Sequence, residues 1–169
     1  MKRYLLLLPL LLALVACGVH LTTPQQLGQS LFAALRAGSG DDFAACCLTA
    51  ADIDFLDTKV RLSRPENPTD YTPLADLKPE LPPRYVLTFE DIRTELADFA
   101  WGSASLARVE QGEQVVADWV PPGVFMLEHI TLFLDDGTCT YSLRLYDIVK
   151  VERGWLVSNP IYRLQKETR

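Results

Sequence analysis

Val124-Phe125-Met126-Leu127-Glu128-His129-Ile130-Thr131-Leu132-Phe133-Leu134 is followed by Asp135-Asp136-Gly137 and then by Thr138-Cys139-Thr140-Tyr141-Ser142-Leu143-Arg144-Leu145-Tyr146. Both runs are rich in β-branched and aromatic residues and read as strands. Asp-Gly between two such runs is a strong hairpin signal. With Asp136-Gly137 as a two-residue loop, Asp135 faces Thr138. Ile130, Leu132 and Leu134 then share one face with Cys139, Tyr141, Leu143 and Leu145, and this is the face that packs on a core. The other face sets His129 against Arg144, beside Thr131 and Ser142, and is more polar.

Beyond the hairpin the return strand continues to Glu152, Arg153-Gly154 turns the chain, and Trp155 to Leu164 forms the last strand. Upstream, Ser105–Val109 and Val115–Val120 alternate as strands, and Pro121-Pro122-Gly123 separates them from the hairpin. Before Ala100 the apolar period is helical. Thr23-Pro24-Gln25-Gln26 is a capping box with proline in the first turn. It opens a helix whose Leu27, Leu31, Phe32 and Leu35 share a face, and Gly38-Ser39-Gly40 ends it. Asp41 caps a second helix that turns Phe43, Cys46 and Cys47 inward. Thr49 to Asp52 caps a third with Ile53, Phe55 and Leu56. Thr88 to Asp91 caps another, carrying Ile92, Leu96 and Phe99 to about Ala100. Between them, from Arg61 to Arg84, six of the 11 prolines fall within 24 residues. That density predicts a stretch without regular structure, either a lid or a passive insertion.

At the N-terminus, Lys2 and Arg3 precede an apolar run from Tyr4 to Ala16, the layout of a secretory leader and too short to cross a bilayer. The run ends in Leu14-Val15-Ala16-Cys17-Gly18, which resembles the lipobox of bacterial lipoproteins. The resemblance implies that residues 1–16 are cleaved and that Cys17 carries the lipid. Residues 17–22 would then be a tether and 23–165 a single domain. Gly18, in place of an Asp, implies sorting to the periplasmic side of the outer membrane in a host with two membranes. The formal charge of −6 offers no basic stripe for nucleic acid. Loss of Lys2 and Arg3 leaves 14 cations against 22 anions, or −8, so attachment to anionic lipid rests on the acyl chains.

Cys46, Cys47 and Cys139 remain in a compartment that permits disulfides. Adjacent Cys46 and Cys47 cannot pair without strain, so the one bridge open to them joins one of the two, with Cys47 as the candidate, to Cys139. The reading preferred over a bridge is three unpaired thiols, all of them small buried hydrophobes. His20 and His129 lack ligand spacing to these thiols, so no metal and no cofactor is expected.

Helices first, then a loop, a further helix and long antiparallel strands ending in Lys150-Val151-Glu152-Arg153-Gly154-Trp155-Leu156-Val157 resemble the nuclear transport factor 2-like superfamily. Three local features carry the resemblance: Gly-Ser-Gly-Asp-Asp-Phe after the first helix, the Tyr-Ser-Leu-Arg-Leu strand and the Gly-Trp turn. It implies an α+β fold, cone-like, with N-terminal helices packed on a curved antiparallel sheet of about four strands. A cystatin-like α+β sheet is the nearest alternative. The superfamily holds isomerases and dehydratases beside non-catalytic binding and assembly domains, so fold does not choose among them.

In the two-residue register Glu128 and Asp147 sit diagonally on the core face, with Tyr141 further along, as candidate lining of a pocket. Proton transfer there would need a carboxylate raised toward neutrality. His129 beside Arg144 reads as a surface pair. No Ser-His-Asp order, Gly-x-Ser-x-Gly or phosphate-binding glycine loop occurs. The expectation is a non-enzymatic, membrane-anchored domain that binds a small apolar ligand or an envelope protein. The alternatives are an isomerase-like enzyme using the pocket carboxylates, or a homodimer formed through Phe125, Leu127, Phe133, Tyr146 and Ile148.

Overall fold

The computed structural model describes residues 21–63, 79–117 and 120–167. The leader, Cys17, the tether as far as His20, residues 64–78 of the proline-rich stretch and Trp119 lie outside the described residues.

Helix α1 (Pro24–Ala37) begins as its capping box dictates: Thr23 Oγ1 accepts from Gln26 N at 3.2 Å, and Gln26 Oε1 accepts from Thr23 N at 3.2 Å. Gly38 ends it with φ 70, a left-handed cap that costs glycine nothing. Ser39, rather than Asp41, caps α2 (Gly40–Ala45), accepting from Asp42 N at 3.2 Å. At the start of α3 (Ala50–Ser63), Asp52 Oδ2 accepts from both Thr49 N (2.7 Å) and Thr49 Oγ1 (2.6 Å). Helix α4 spans Leu81–Glu95.

The stretch expected to be irregular is therefore shorter than Arg61–Arg84, because α3 continues to Ser63 and α4 starts at Leu81. Pro82 and Pro83 occupy the first turn of α4, where backbone N–H groups have no intrahelical acceptor to lose. Thr88 is thus not a cap. From mid-helix its hydroxyl donates to the Pro160 carbonyl at 2.8 Å. The helix stops at Glu95, short of Ala100.

The strands are β1 (Ser105–Gln111), β2 (Gln114–Val115), β3 (Met126–Asp135), β4 (Thr140–Val151), β5 (Gly154–Val157) and β6 (Tyr162–Glu167). All pair antiparallel: β1 and β2 share one edge of β3, β4 lies on the other, and β5 and β6 share the far edge of β4. The sheet is thus four strands wide, and both outer strands are split midway. The expected strands Val115–Val120 and Trp155–Leu164 correspond to β2 alone and to the pair β5 and β6.

Asp135 pairs with Thr140, two residues beyond the partner a two-residue loop requires. The turn widens because Asp136 Oδ1 accepts from the amides of Thr138 (2.8 Å) and Cys139 (2.7 Å), while Asp135 Oδ1 accepts from Gly137 N at 2.7 Å. A slip of two keeps every side chain on its face, whereas a slip of one would invert them all. Ile130, Leu132 and Leu134 still share the core face, now opposite Leu145, Leu143 and Tyr141.

The core lies between this face and the helices. Leu27, Leu31 and Leu35 of α1, Phe43, Ile53, Leu56 and Ile92 are buried against the central strands. Gly28 sets the approach of α1 to β1, because a Cβ there would lie 2.6 Å from Val109 Cγ2. The outer face is less open than its apolar composition predicts. Phe133 is buried beneath the Arg108 guanidinium, 3.6 Å from the ring centre. Leu127 and Ile148 belong to the buried core cluster itself, so of the five residues assigned to a dimer face only Phe125 and Tyr146 keep appreciable exposure. The result is an α+β fold in which, among the described residues, four helices pack on a curled antiparallel half-barrel.

Candidate functional site

The two splits in the outer strands fall at one level and form a crease across the sheet. On one side Gly112 and Glu113 separate β1 from β2. Gly112 N donates to His129 O (2.9 Å), and Glu128 N donates to Glu113 O (3.0 Å). On the other side Ser158-Asn159-Pro160-Ile161 separates β5 from β6, where Pro160 has no amide to continue a ladder. Asp147 of β4 lies on this line with φ 55, a left-handed conformation that short polar side chains tolerate better than others. Its carbonyl accepts from Ser158 N (2.9 Å) and Ser158 Oγ (2.6 Å). Its carboxylate Oδ2 accepts from Asn159 Nδ2 at 2.7 Å. Helix α4 holds the same loop: Tyr85 Oη donates to Ser158 O (3.2 Å) beside the Thr88–Pro160 bond. Burial pushes the Tyr85 phenol well above its ordinary pKa, so it serves as a neutral donor.

The candidate residues Glu128, Tyr141 and Asp147 do not converge. Continuing the β3–β4 register places Glu128 opposite Asp147 at the crease, yet the Glu128 side chain is 57% exposed and the Asp147 carboxylate is held by Asn159. Tyr141 lies near the hairpin turn, opposite Leu134, stacked edge-on with Phe99 at 5.7 Å. Six residues of β4 separate it from Asp147, roughly 20 Å of strand. His129 faces Tyr146, while Arg144 faces Thr131. Its Nδ1 is 3.4 Å from Glu128 Oε2, too long for a good hydrogen bond and an ion pair only when the imidazole is protonated. That nitrogen is buried without a hydrogen-bond partner among the described residues. Gly112 makes room for the ring, since a Cβ there would meet it at 2.7 Å.

Among the described residues, Cys46, Cys47 and Cys139 are free thiols. Cys47 bridges to Val157, which pairs with Ile148, whereas Cys139 adjoins Thr140 at the far end of the same strand. Eight residues of strand put the thiols on the order of 20 Å apart, beyond the roughly 7 Å Cα limit of a disulfide. The Cys47–Cys139 pairing is therefore corrected to separate thiols. Cys46 and Cys47 are buried, and Cys47 Sγ donates to Phe43 O at 3.4 Å. Among the described residues no group of His, Cys, Asp and Glu is arranged to hold a metal.

A cavity of about 300 Å³ lies elsewhere, in the connection between β2 and β3, lined by Gln114 to Ala117 and Val120 to Phe125. Its walls are mostly apolar, with Val116 96% and Phe125 48% exposed. Lys150 Nζ sits 5.9 Å from the rings of both Phe125 and Trp155. Pro121-Pro122-Gly123 signals a break in this stretch. Nothing in the periodicity separates Val116, exposed at a strand end, from a core valine.

No protein-family model and no curated protein matches the chain. Among solved structures, a cystatin-like protein from Ruminococcus gnavus superposes with a TM-score of 0.55 at 18% identity, covering 86% of this chain and 45% of that one. The chain thus spans less than half the length of that relative. At this identity the likeness concerns architecture, and the fold is a cystatin-like α+β fold.

Proposed function

We propose that this chain is a lipoprotein of the bacterial cell envelope, anchored through Cys17 to the periplasmic side of the outer membrane, whose cystatin-like domain binds a ligand or a partner protein. The single observation that carries the reading is Leu14-Val15-Ala16-Cys17-Gly18 after a short apolar leader. Among the described residues no helix is long and apolar enough to cross a membrane, so a lipid on Cys17 would supply the attachment. Two further features favour binding over catalysis. The Asp147 carboxylate is committed to Asn159 at a backbone turn, and the described residues that line the cavity, Gln114–Ala117 and Val120–Phe125, present a mostly apolar wall without an ionisable group.

Intact-mass measurement of the chain purified from membranes tests the anchor. The expected species begins at Cys17 and carries diacylglyceryl and N-acyl additions, and Cys17→Ser stays at the unprocessed mass. A wild-type chain that retains residues 1–16, or a Cys17→Ser chain that fractionates with membranes as wild type does, would overturn the reading.

A further inference from the structure

The exposed apolar residues Val116 and Phe125 lie at the same end of the sheet as the point where the chain enters the fold. Leu21 forms a parallel bridge with Gly154, and its carbonyl accepts from Trp155 N at 2.8 Å. Gly154 pairs with Val151, and Lys150 N donates to Phe125 O at 2.9 Å. Three strand spacings, about 14 Å in all, therefore separate Leu21 from Val124 and Phe125 across the sheet. Four residue steps from Cys17 to Leu21 reach at most about 14 Å. A lipid on Cys17 thus holds this end of the sheet within roughly that distance of the bilayer surface, while the Asp136–Cys139 turn sits about 30 Å further along β3.

What this end presents suits a lipid interface. Val116 and Phe125 project into solvent, Asp118 is the single charged residue in the sequence from Gln114 to Phe125, and exposed Lys150 hovers over the Phe125 and Trp155 rings. Aromatic rings with a lysine whose stem lies on apolar surface and whose ammonium reaches headgroups are the groups found at membrane–water boundaries. From this geometry we infer that Val116 and Phe125 insert into the headgroup–acyl boundary of the membrane that holds the anchor, fixing the domain with its hairpin turn pointing away. The inference rests on the lipid-anchor reading and adds an orientation to it.

Photo-crosslinking on the full acylated chain in phosphatidylethanolamine-rich vesicles tests it. A diazirine amino acid is placed at Val116 in one sample and at exposed Thr138 in another, and Cys17 acylation is verified by mass in both. The expected result is at least five-fold more phospholipid adduct at Val116 than at Thr138, falling toward the Thr138 level when Phe125→Asp is added. Equal lipid adducts at the two sites, or adducts at Val116 to protein alone, would overturn the inference while the verified anchor stands. Absence of acylation would remove the anchor and the orientation with it.

Discussion

Arg153 and Asp52 form a two-pronged pair between the β4–β5 turn and the first turn of α3. Arg153 Nε donates to both carboxylate oxygens at 3.0 Å, and Nη2 donates to Oδ2 at 2.8 Å. The same guanidinium donates to the carbonyls of Ala45 and Cys47, so one side chain ties helix, thiol-bearing connection and sheet edge together. Burial favours the neutral form of Asp52, but the bonds from Arg153 and Thr49 outweigh it and hold the carboxyl below its ordinary range.

Arg153→Met should therefore cost about 2–4 kcal/mol, less than for a fully buried pair because the Arg153 side chain is 34% exposed. Arg153→Lys recovers only part, since an ammonium cannot reproduce the fork. The lowered carboxyl contributes stability that is complete well above its unfolded pKa of about 3.9 and is lost as pH falls through the folded value. Urea titrations at pH 7, 5, 4 and 3 should show this contribution unchanged between pH 7 and 5 and the wild type weakening from pH 4 to 3. In Arg153→Met the unpaired carboxylate gains from protonation, so the slope should flatten or reverse. An unchanged slope would show that Asp52 does not govern acid stability.

Most of the fold is legible in local chemistry because caps and side-chain period are short-range properties. The Thr23–Gln26 box sets the start of α1, and the alternation of Ile130, Leu132 and Leu134 survives a misjudged turn because a two-residue slip conserves facing. What escapes is set by tertiary partners. The amides of Gly137, Thr138 and Cys139 take the Asp135 and Asp136 carboxylates, and the loop lengthens. Phe133 looks like an exposed aromatic until Arg108 covers it. The crease is invisible in sequence, since neither Gly112 nor Asp147 departs from a strand pattern until the opposite edges break at the same level. The cavity is half legible, announced by Pro121-Pro122-Gly123 and hidden in Val116.

At the crease, Asp147 separates a structural role from a chemical one. Asp147→Asn keeps an acceptor for Asn159 and a side chain that tolerates φ 55, and it should change stability by less than about 1 kcal/mol. Asp147→Val combines a β-branched residue at positive φ with loss of the Asn159 bond, and should cost about 2–4 kcal/mol. Thermal denaturation of the two variants tells them apart. Equal losses would mean that the negative charge itself, and not turn geometry, is what this position needs.

The thiols should react in two classes. Burial pushes Cys46 up to about 12 and raises Cys47 as well, so at pH 8 only roughly one Cys46 in 10⁴ is thiolate. Partly exposed Cys139 should be alkylated by iodoacetamide in the native protein, and the other two only after unfolding. Peptide mapping after a timed pulse reads this directly. Protection of Cys139 matching that of Cys47 would contradict the partial exposure of Cys139.

Gly154 controls how firmly the chain's first described residue is held. Its φ is +120, and a Cβ there would fall inside the contact distance of the Leu21 backbone. Gly154→Ala can be accommodated only by moving Leu21 away, which breaks the Trp155 N–Leu21 O bond and the parallel bridge. Both the strained dihedral and the lost contacts point to a cost of about 2–4 kcal/mol. The more specific consequence is mechanical: with the proposed lipid on Cys17, releasing Leu21 would free more chain between the anchor and the fold and loosen the proposed contact of Val116 and Phe125 with the bilayer. Amide exchange at Trp155 should rise, and lipid adducts from the Val116 probe should fall at unchanged Cys17 acylation. If Trp155 exchange rises while the Val116 adducts stay constant, the loop reaches the membrane by its own affinity and not by the short tether.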